Sequence, residues 1–518
     1  MNKMLLINPP HHGSYRSKIM LGDSLALAAV SGEIIRNNWS TVVLDCMVHN
    51  WDLNTLKVNI KKHQPFDAVG ITAMSNSCIE LLKQIIKIIL DIEPASYIFV
   101  GGHAPTLNYE KFLSLKIDAL YLGDSLDKIP EILHYFKNCK IYSFKNNMSK
   151  NKKKICSPGI KIINAPLKDT YAYNVFARRD IKLSYALDHI VSIDTSKGCH
   201  GNCSFCTINF QYCSKWIPRE IDNIKEELLY IKKKLPFAEQ IRIVDANFLG
   251  GGEKYKQRAI QISKFMKELG FKFRIECRID DIEPKLFSQL KYNGLVGVFT
   301  GIENGEQDVL NLLKKGITPL QILKAIKILH NNKISYTYGY MTISPITNLD
   351  NIYNNIEFLK RIKYGIRFKH FFNSLIIQRN DIFDVALPIK SFEKKVGFKP
   401  AFEVCSKLLH FNEICLDSFL EVYELEHTIG TWIERGKESG DNYFWLKDKV
   451  FSNLCIQTFI SILENIIELP NHKNKLKKLA SEEMTIFKEN LYPILLEIKH
   501  HGLNNNVKLK ILEEKTFS

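Results

Sequence analysis

The sequence predicts an α/β protein in three parts. A doubly wound N-terminal domain of flavodoxin or Rossmann type covers 1–145, a partial (β/α)6 barrel covers 186–400, and a helical C-terminal domain covers 401–518. Two observations carry this. Short, continuously apolar runs alternate with helical patterns twice along the chain, and such runs belong to parallel sheets buried on both faces. From about residue 400 onward only helical patterns remain. The length, 518 residues, agrees, since domains average roughly 100–200 residues.

In the first series the apolar runs are Met4–Asn8, Val42–Asp45, Ala68–Ala73, Tyr97–Gly101 and Ala119–Leu122. Between them lie amphipathic stretches such as Cys78–Asp91, with Ile79, Leu82, Ile86 and Ile89 at helical spacing. Sheets of this kind bind ligands outside the carboxyl ends of their strands. A linker, 146–185, is Lys-rich at first and then irregular. The second series has expected strands at Ile190–Asp194, Ile241–Asp245, Phe273–Glu276, Gly297–Gly301, Ser335–Met341 and Phe372–Ile377. Helical patterns fill the gaps, for example Asn223–Lys234, Pro284–Tyr292 and Pro319–Asn331. Six successive units suggest a closed or partly closed barrel. Helical patterns, among them Cys455–Leu469, complete the chain.

The apolar fraction, 45%, is ordinary for globular protein. The net charge of +16 could draw an anionic partner. Its excess is concentrated in Lys145–Lys154 and the C-terminal tail, which fits a Lys-rich composition better. No recognisable RNA-binding module supports a nucleic-acid partner. Met4–Ile7 stops at Pro9 and Pro10 and is too short for a signal peptide. No run of about 18 apolar residues is present, so no membrane span is expected. The twelve Cys are scattered over a long chain, unlike a secreted disulfide scaffold. A reducing cytoplasm is expected, where a tight Cys cluster means metal or catalysis.

That cluster is CHGNCSFC, with Cys199, Cys203 and Cys206 directly after the first barrel strand. Three thiolates at this spacing can wrap three irons of a [4Fe–4S] cube and leave the fourth open to chemistry. Structural clusters normally take four Cys. Zinc sites usually show paired Cys-x2–4-Cys and His-x3–5-His spacings, but His200 lies inside the loop and no His partner follows at that spacing.

The string resembles the signature of the radical S-adenosylmethionine (SAM) superfamily, Cys-x3-Cys-x-aromatic-Cys, with Phe205 in the aromatic place. The resemblance continues over about 187–345. VDANF (Val244–Phe248), which contains Asp245, is similar to a strand-end segment of members with a cobalamin domain. ECRID (Glu276–Asp280) resembles a third-strand motif, which implies Arg278 as a SAM contact. FTGIENG (Phe299–Gly305) resembles a fourth-strand segment, in which Gly301 gives room to the cofactor and Glu303 faces it. One departure stands in GYMTISPITN, where Ser344 and Ile346 replace the usual glycines beside Pro345.

The first domain resembles the cobalamin-binding domains fused to such barrels. The matching pieces are INPPHHGS, with Asn8 and Pro9; GDSLALAAVSGEI; ITAMSNS, with Ser75; VGGHAPT, with Gly101, Gly102 and Thr106; and YLGDS, with Gly123. A flavin- or nucleotide-type domain is the alternative. Asp-x-His-x-x-Gly, which supplies a His to cobalt in some relatives, is absent, so His11, His12 and His103 are not expected as cobalt ligands. No second Cys-x2-Cys pair is present, which disfavours methylthiotransferases and auxiliary clusters.

The resemblance implies a [4Fe–4S] cluster, SAM and cobalamin as cofactors. It also implies a reduced flavodoxin- or ferredoxin-type electron donor and a small-molecule or peptide substrate. Its leading activity is C- or P-methylation, with methylcobalamin giving the methyl group and a 5′-deoxyadenosyl radical activating the substrate. The alternatives are a cobalamin-assisted cyclisation or rearrangement without methyl transfer, and a non-catalytic cobalamin-binding protein.

Overall fold

The computed structural model describes residues 2–10, 24–74, 78–145, 160–167, 169–173, 182, 190–344, 346–371, 403–418, 420–469 and 473–504. They fall into two compact units. One comprises 1–199, 210–245 and 265–271, and the other 200–209, 246–264 and 272–518.

The first unit opens with six parallel strands: β1 (Lys3–Asn8), β2 (Ser40–Asp45), β3 (Ala68–Thr72), β4 (Tyr97–Gly101), β5 (Ala119–Leu122) and β6 (Lys161–Asn164). Their order is β2-β1-β3-β4-β5-β6, the flavodoxin-like arrangement with its switch point between β1 and β3. Period-two alternation divides the apolar residues between two cores. Leu5, Ile7, Val69, Ile71, Ile98 and Val100 pack with helices Leu53–Lys62 and Ile79–Ile92. Met4, Leu6, Ala68, Phe99 and Tyr121 pack with helices Leu25–Arg36 and Ile129–Lys145. The doubly wound expectation is thereby met. β6 lies in the stretch expected to be irregular linker. Only Ile163 of its four residues is buried, and an edge strand needs little apolar sequence because one edge pairs with nothing.

The same unit holds β7 (Val191–Ile193), β8 (Ser196–Gly198), β9 (Trp216–Pro218) and β10 (Gln240–Ile243). β10 pairs with β7 in parallel. β8 and β9 form an antiparallel ladder, so the chain between Gly198 and Trp216 is an excursion whose two ends are tied together. All three Cys of the cluster motif lie on that excursion.

The second unit contains β11 (Lys272–Arg278), β12 (Leu295–Glu303) and β13 (Ser335–Tyr340), paired in parallel. On β11, Phe273, Ile275 and Cys277 are buried, and the alternation puts Arg274, Glu276 and Arg278 on the opposite face. Helix Pro319–Asn331 forms where the sequence expected it. Pro319 opens it, and Thr318 and Gln321 make a reciprocal capping box. Five barrel strands are described, and the sixth expected strand, Phe372–Ile377, lies outside the described residues.

Helices Glu403–Ser418, Leu420–Glu438, Asn442–Glu468 and Lys473–Asn504 form the C-terminal part of this unit. Helix Asn442–Glu468 has the length and apolar composition of a membrane span. It buries Phe451, Cys455, Phe459 and Ile462 and packs on the helices before and after it. Its buried Asp448 accepts from Lys437 Nζ (2.7 Å) and Arg367 Nη1 (3.2 Å).

Candidate active site

The carboxyl ends of β3, β4 and β5 open onto a cavity of about 450 Å³ in the first unit, lined by Thr72, Gly101, Gly102, Gly123 and Ser125 among others. That volume lies in the range of ligand pockets. Backbone geometry builds its rim. Gly102 has φ +110, and a Cβ there would stand 2.8 Å from the Ala73 carbonyl oxygen, so only glycine fits. Thr106 Oγ1 donates to the Gly102 carbonyl (2.7 Å) and accepts from Gly123 N–H (2.9 Å), joining the VGGHAPT and YLGDS loops. Asn8 Nδ2 donates to Asp45 Oδ1 (2.8 Å) and so ties the ends of β1 and β2. Pro9 follows it, half-buried. Ser75, His11 and His12 lie outside the described residues.

Tyr171 and Tyr173, also in the cavity wall, donate to Asp194 Oδ2 (2.6 Å) and Oδ1 (2.8 Å). Burial opposes the Asp194 charge, but Lys197 and Arg219 outweigh it and hold the carboxyl well below its usual range. His103 Nδ1 lies 2.7 Å from Gln211 Oε1, and Gln211 Nε2 donates to Asp124 Oδ2 (3.3 Å). Gln211 thereby joins the VGGHAPT and YLGDS loops within the first unit.

Asp245 is buried among polar partners. It accepts from Thr195 N–H (2.6 Å), Thr195 Oγ1 (2.5 Å) and Ser196 Oγ (2.7 Å). These bonds brace the turn leading into β8 and the cluster loop. Asn247, from the same VDANF segment, donates to Asp281 Oδ2 (3.0 Å), as His200 Nε2 approaches it at 3.0 Å. Neither His200 nor Asp281 has a role that the sequence motifs imply. A His inside a Cys loop and the second Asp of a Glu-Cys-Arg-Ile-Asp-Asp run are the only signals available for them.

Cys199 follows β8 and binds Lys215 O through its backbone N–H (3.1 Å). Cys203 is buried, and Cys206 N–H bonds the Cys203 carbonyl (3.2 Å), tightening the turn between them. Burial pushes the Cys206 thiol up. Phe205 packs against the buried pair Val309 and Leu313, anchoring the loop to the segment after β12. Among the described residues no three His, Cys, Asp or Glu stand together as a finished metal cage.

Cationic groups surround the buried Cys203. Arg278, at the end of β11, donates from Nη1 to Cys203 Sγ (3.3 Å), and from Nη2 to Asp280 Oδ2 (2.9 Å) and the Lys315 carbonyl (2.8 Å). Its Nε is buried without a hydrogen-bond partner among the described residues. Glu303, at the end of β12, has φ +63, where the register to β13 shifts. This bulge turns its carboxylate over Gly301, where a Cβ would lie 2.1 Å from Oε1. Lys315 Nζ donates to that carboxylate at 2.8 Å. Burial disfavours the Lys315 charge, but Glu303 and Cys203 outweigh it and raise its pKa. Donors facing a cysteine-rich loop, one of them without a partner, suit an anionic cluster with a polar ligand.

Two family models match the chain. The B12-binding domain model matches 21–133 and the radical SAM superfamily model 193–359. An uncharacterized methyltransferase of Pyrococcus horikoshii is 24% identical over 70% of this chain and 78% of its own. The 4′-phospho-dehydrooxetanocin synthase of Priestia megaterium is 23% identical over 76% of this chain, which spans little more than half, 56%, of that enzyme. Among solved structures, the cobalamin-dependent SAM radical enzyme OxsB, with aqua-cobalamin and SAM bound, aligns with TM-score 0.64 and 16% identity. That alignment covers 98% of this chain and 81% of OxsB. The radical SAM methyltransferase TsrM of Kitasatospora setae, with cobalamin and a [4Fe–4S] cluster bound, aligns with TM-score 0.57 and 13% identity, covering 71% and 74%.

Proposed function

We propose that this chain, which belongs to the radical SAM enzymes that carry a cobalamin-binding domain, is a methyltransferase acting on carbon or phosphorus of a small-molecule or peptide substrate. A [4Fe–4S] cluster, SAM and cobalamin are its cofactors. The single observation that carries the methyl-transfer reading is the pairing of the two domains in one chain, 70% of which aligns with a relative named a methyltransferase.

Bound, these groups supply a methyl donor and a carbon-centred radical. The protein's own residues hold and shield them. Cys199, Cys203 and Cys206 would ligate the cluster from a loop that β8 and β9 clamp at its base. Glu303, paired with Lys315, would accept hydrogen bonds from a polar ligand above Gly301. The rim formed by Gly102, Thr106 and Gly123 admits a ligand backbone-close at the end of the first sheet, where a side chain would intrude.

The test is anaerobic turnover of the reconstituted protein with methyl-labelled SAM, dithionite and small-molecule and peptide fractions of the host. Label in a product, with both S-adenosylhomocysteine and 5′-deoxyadenosine formed, is the expected result. A modified product that never carries label would replace methylation by cyclisation or rearrangement, the reading favoured by likeness to a synthase.

A further inference from the structure

We propose that Arg278 sets the reduction potential of the cluster through its bond to Cys203, and is a positioning residue toward iron rather than a SAM contact. The inference rests on the assignment of the cluster to the three Cys made above. Two independent features meet at the same place. From β11, Nη1 lies 3.3 Å from Cys203 Sγ. From the loop, the residue facing that nitrogen is Gly201, where a Cβ would stand 2.3 Å from Nη1 and 3.1 Å from Cζ. The loop thus lacks a side chain at a position where one would displace the guanidinium from the sulfur.

The guanidinium is fixed on its other side as well. Nη2 bonds Asp280 Oδ2 and the Lys315 carbonyl, and the residue is 8% exposed. A planar, permanently charged fork held at three points offers the sulfur one direction and one charge. Asp280 carries the balancing negative charge on the side away from Cys203, while Lys315 spends its charge on Glu303.

One electron from the external donor makes the cluster one unit more negative. An N–H donor and a positive charge at a ligating sulfur stabilise that reduced state more than the oxidised one, and such bonds are among the main determinants of cluster potential. Cleaving SAM requires the reduced state, so the residue governs how readily that state is filled.

The experiment measures the midpoint potential of the reconstituted full chain without SAM, following the paramagnetic signal of the reduced cluster. SAM affinity is read separately from the change that SAM causes in that signal. Arg278→Gln should keep about four irons per chain, move the potential negative, and leave SAM affinity within about twofold. Arg278→Lys, which keeps the charge but not the fork, should fall between. If the Gln variant holds no cluster, Gly201→Ala is the second probe. It keeps the guanidinium and pushes it off the sulfur, so it should also move the potential negative. A wild-type potential in these variants, with SAM affinity reduced about tenfold or more, would overturn the proposal and return Arg278 to SAM through its unpaired Nε. A wild-type chain that takes up no iron would sink the cluster assignment and this inference together.

Discussion

Lys315 Nζ lies 2.8 Å from Glu303 Oε1, with both side chains more than nine-tenths buried. A carboxylate in that position is costly alone, and the ammonium beside it offsets that cost at the end of β12. Lys315→Met should destabilise the second unit by about 3–5 kcal/mol, because it strands a buried charge. Combining it with Glu303→Gln should restore most of that loss. Urea unfolding of the apo chain measures both, and a single variant as stable as wild type would refute the pairing.

The site function of Glu303 is separable from its fold function. Glu303→Gln removes the charge but strands Lys315, so it is combined with Lys315→Met to keep the fold. The double variant should weaken SAM binding by about 1.5–3 kcal/mol, the worth of a charge-assisted hydrogen bond, and depress 5′-deoxyadenosine formation. Equilibrium binding of SAM to the reconstituted variant at its wild-type value would contradict this.

Replacing Cys199, Cys203 and Cys206 together by Ala should abolish the cluster, about four irons per chain, while hydroxocobalamin still binds. The sheet β1–β6 draws no residue from the loop that holds these Cys. A triple variant with the full cluster absorption would defeat the ligand assignment.

Gly102→Ala forces a side chain into φ +110 and within 2.8 Å of a carbonyl oxygen. Strain of this kind costs roughly 1–3 kcal/mol, and here the rim must move. Hydroxocobalamin affinity should fall by about tenfold or more, and Thr106→Val, which removes two bonds from the same rim, should act in the same direction. Cob(II)alamin bound to wild type should show no superhyperfine splitting from a protein nitrogen. Splitting that persists with nitrogen-labelled protein histidine would contradict that expectation.

Asp448 supplies the acid limb of stability for the second unit. Burial raises its pKa, but Lys437 and Arg367 lower it more, and the net direction is down. A depressed carboxyl stabilises the fold above its unfolded value, about 3.9, and that contribution disappears as pH falls through the lower folded value. Asp448→Asn should therefore be less stable than wild type at pH 7, with the difference narrowing toward pH 2. A constant difference across that range, by urea midpoint, would remove Asp448 from the acid response.

The two parallel-sheet series, the cluster loop and the helical end are legible in the order of the residues alone. Each depends on neighbours in the chain: continuous apolar runs such as Ala68–Thr72, Cys at fixed spacing, and Pro319 with the Thr318 cap. Nothing in that local pattern distinguishes Lys315 from the other lysines, singles out Gly201, or marks Lys161–Asn164 as a strand. Tertiary structure decided these. A charge becomes indispensable only when another is buried against it, a glycine only when a guanidinium arrives from β11, and an edge strand only when β5 offers its free hydrogen-bonding groups. All three depend on residues far apart in sequence, which local periodicity and spacing do not encode.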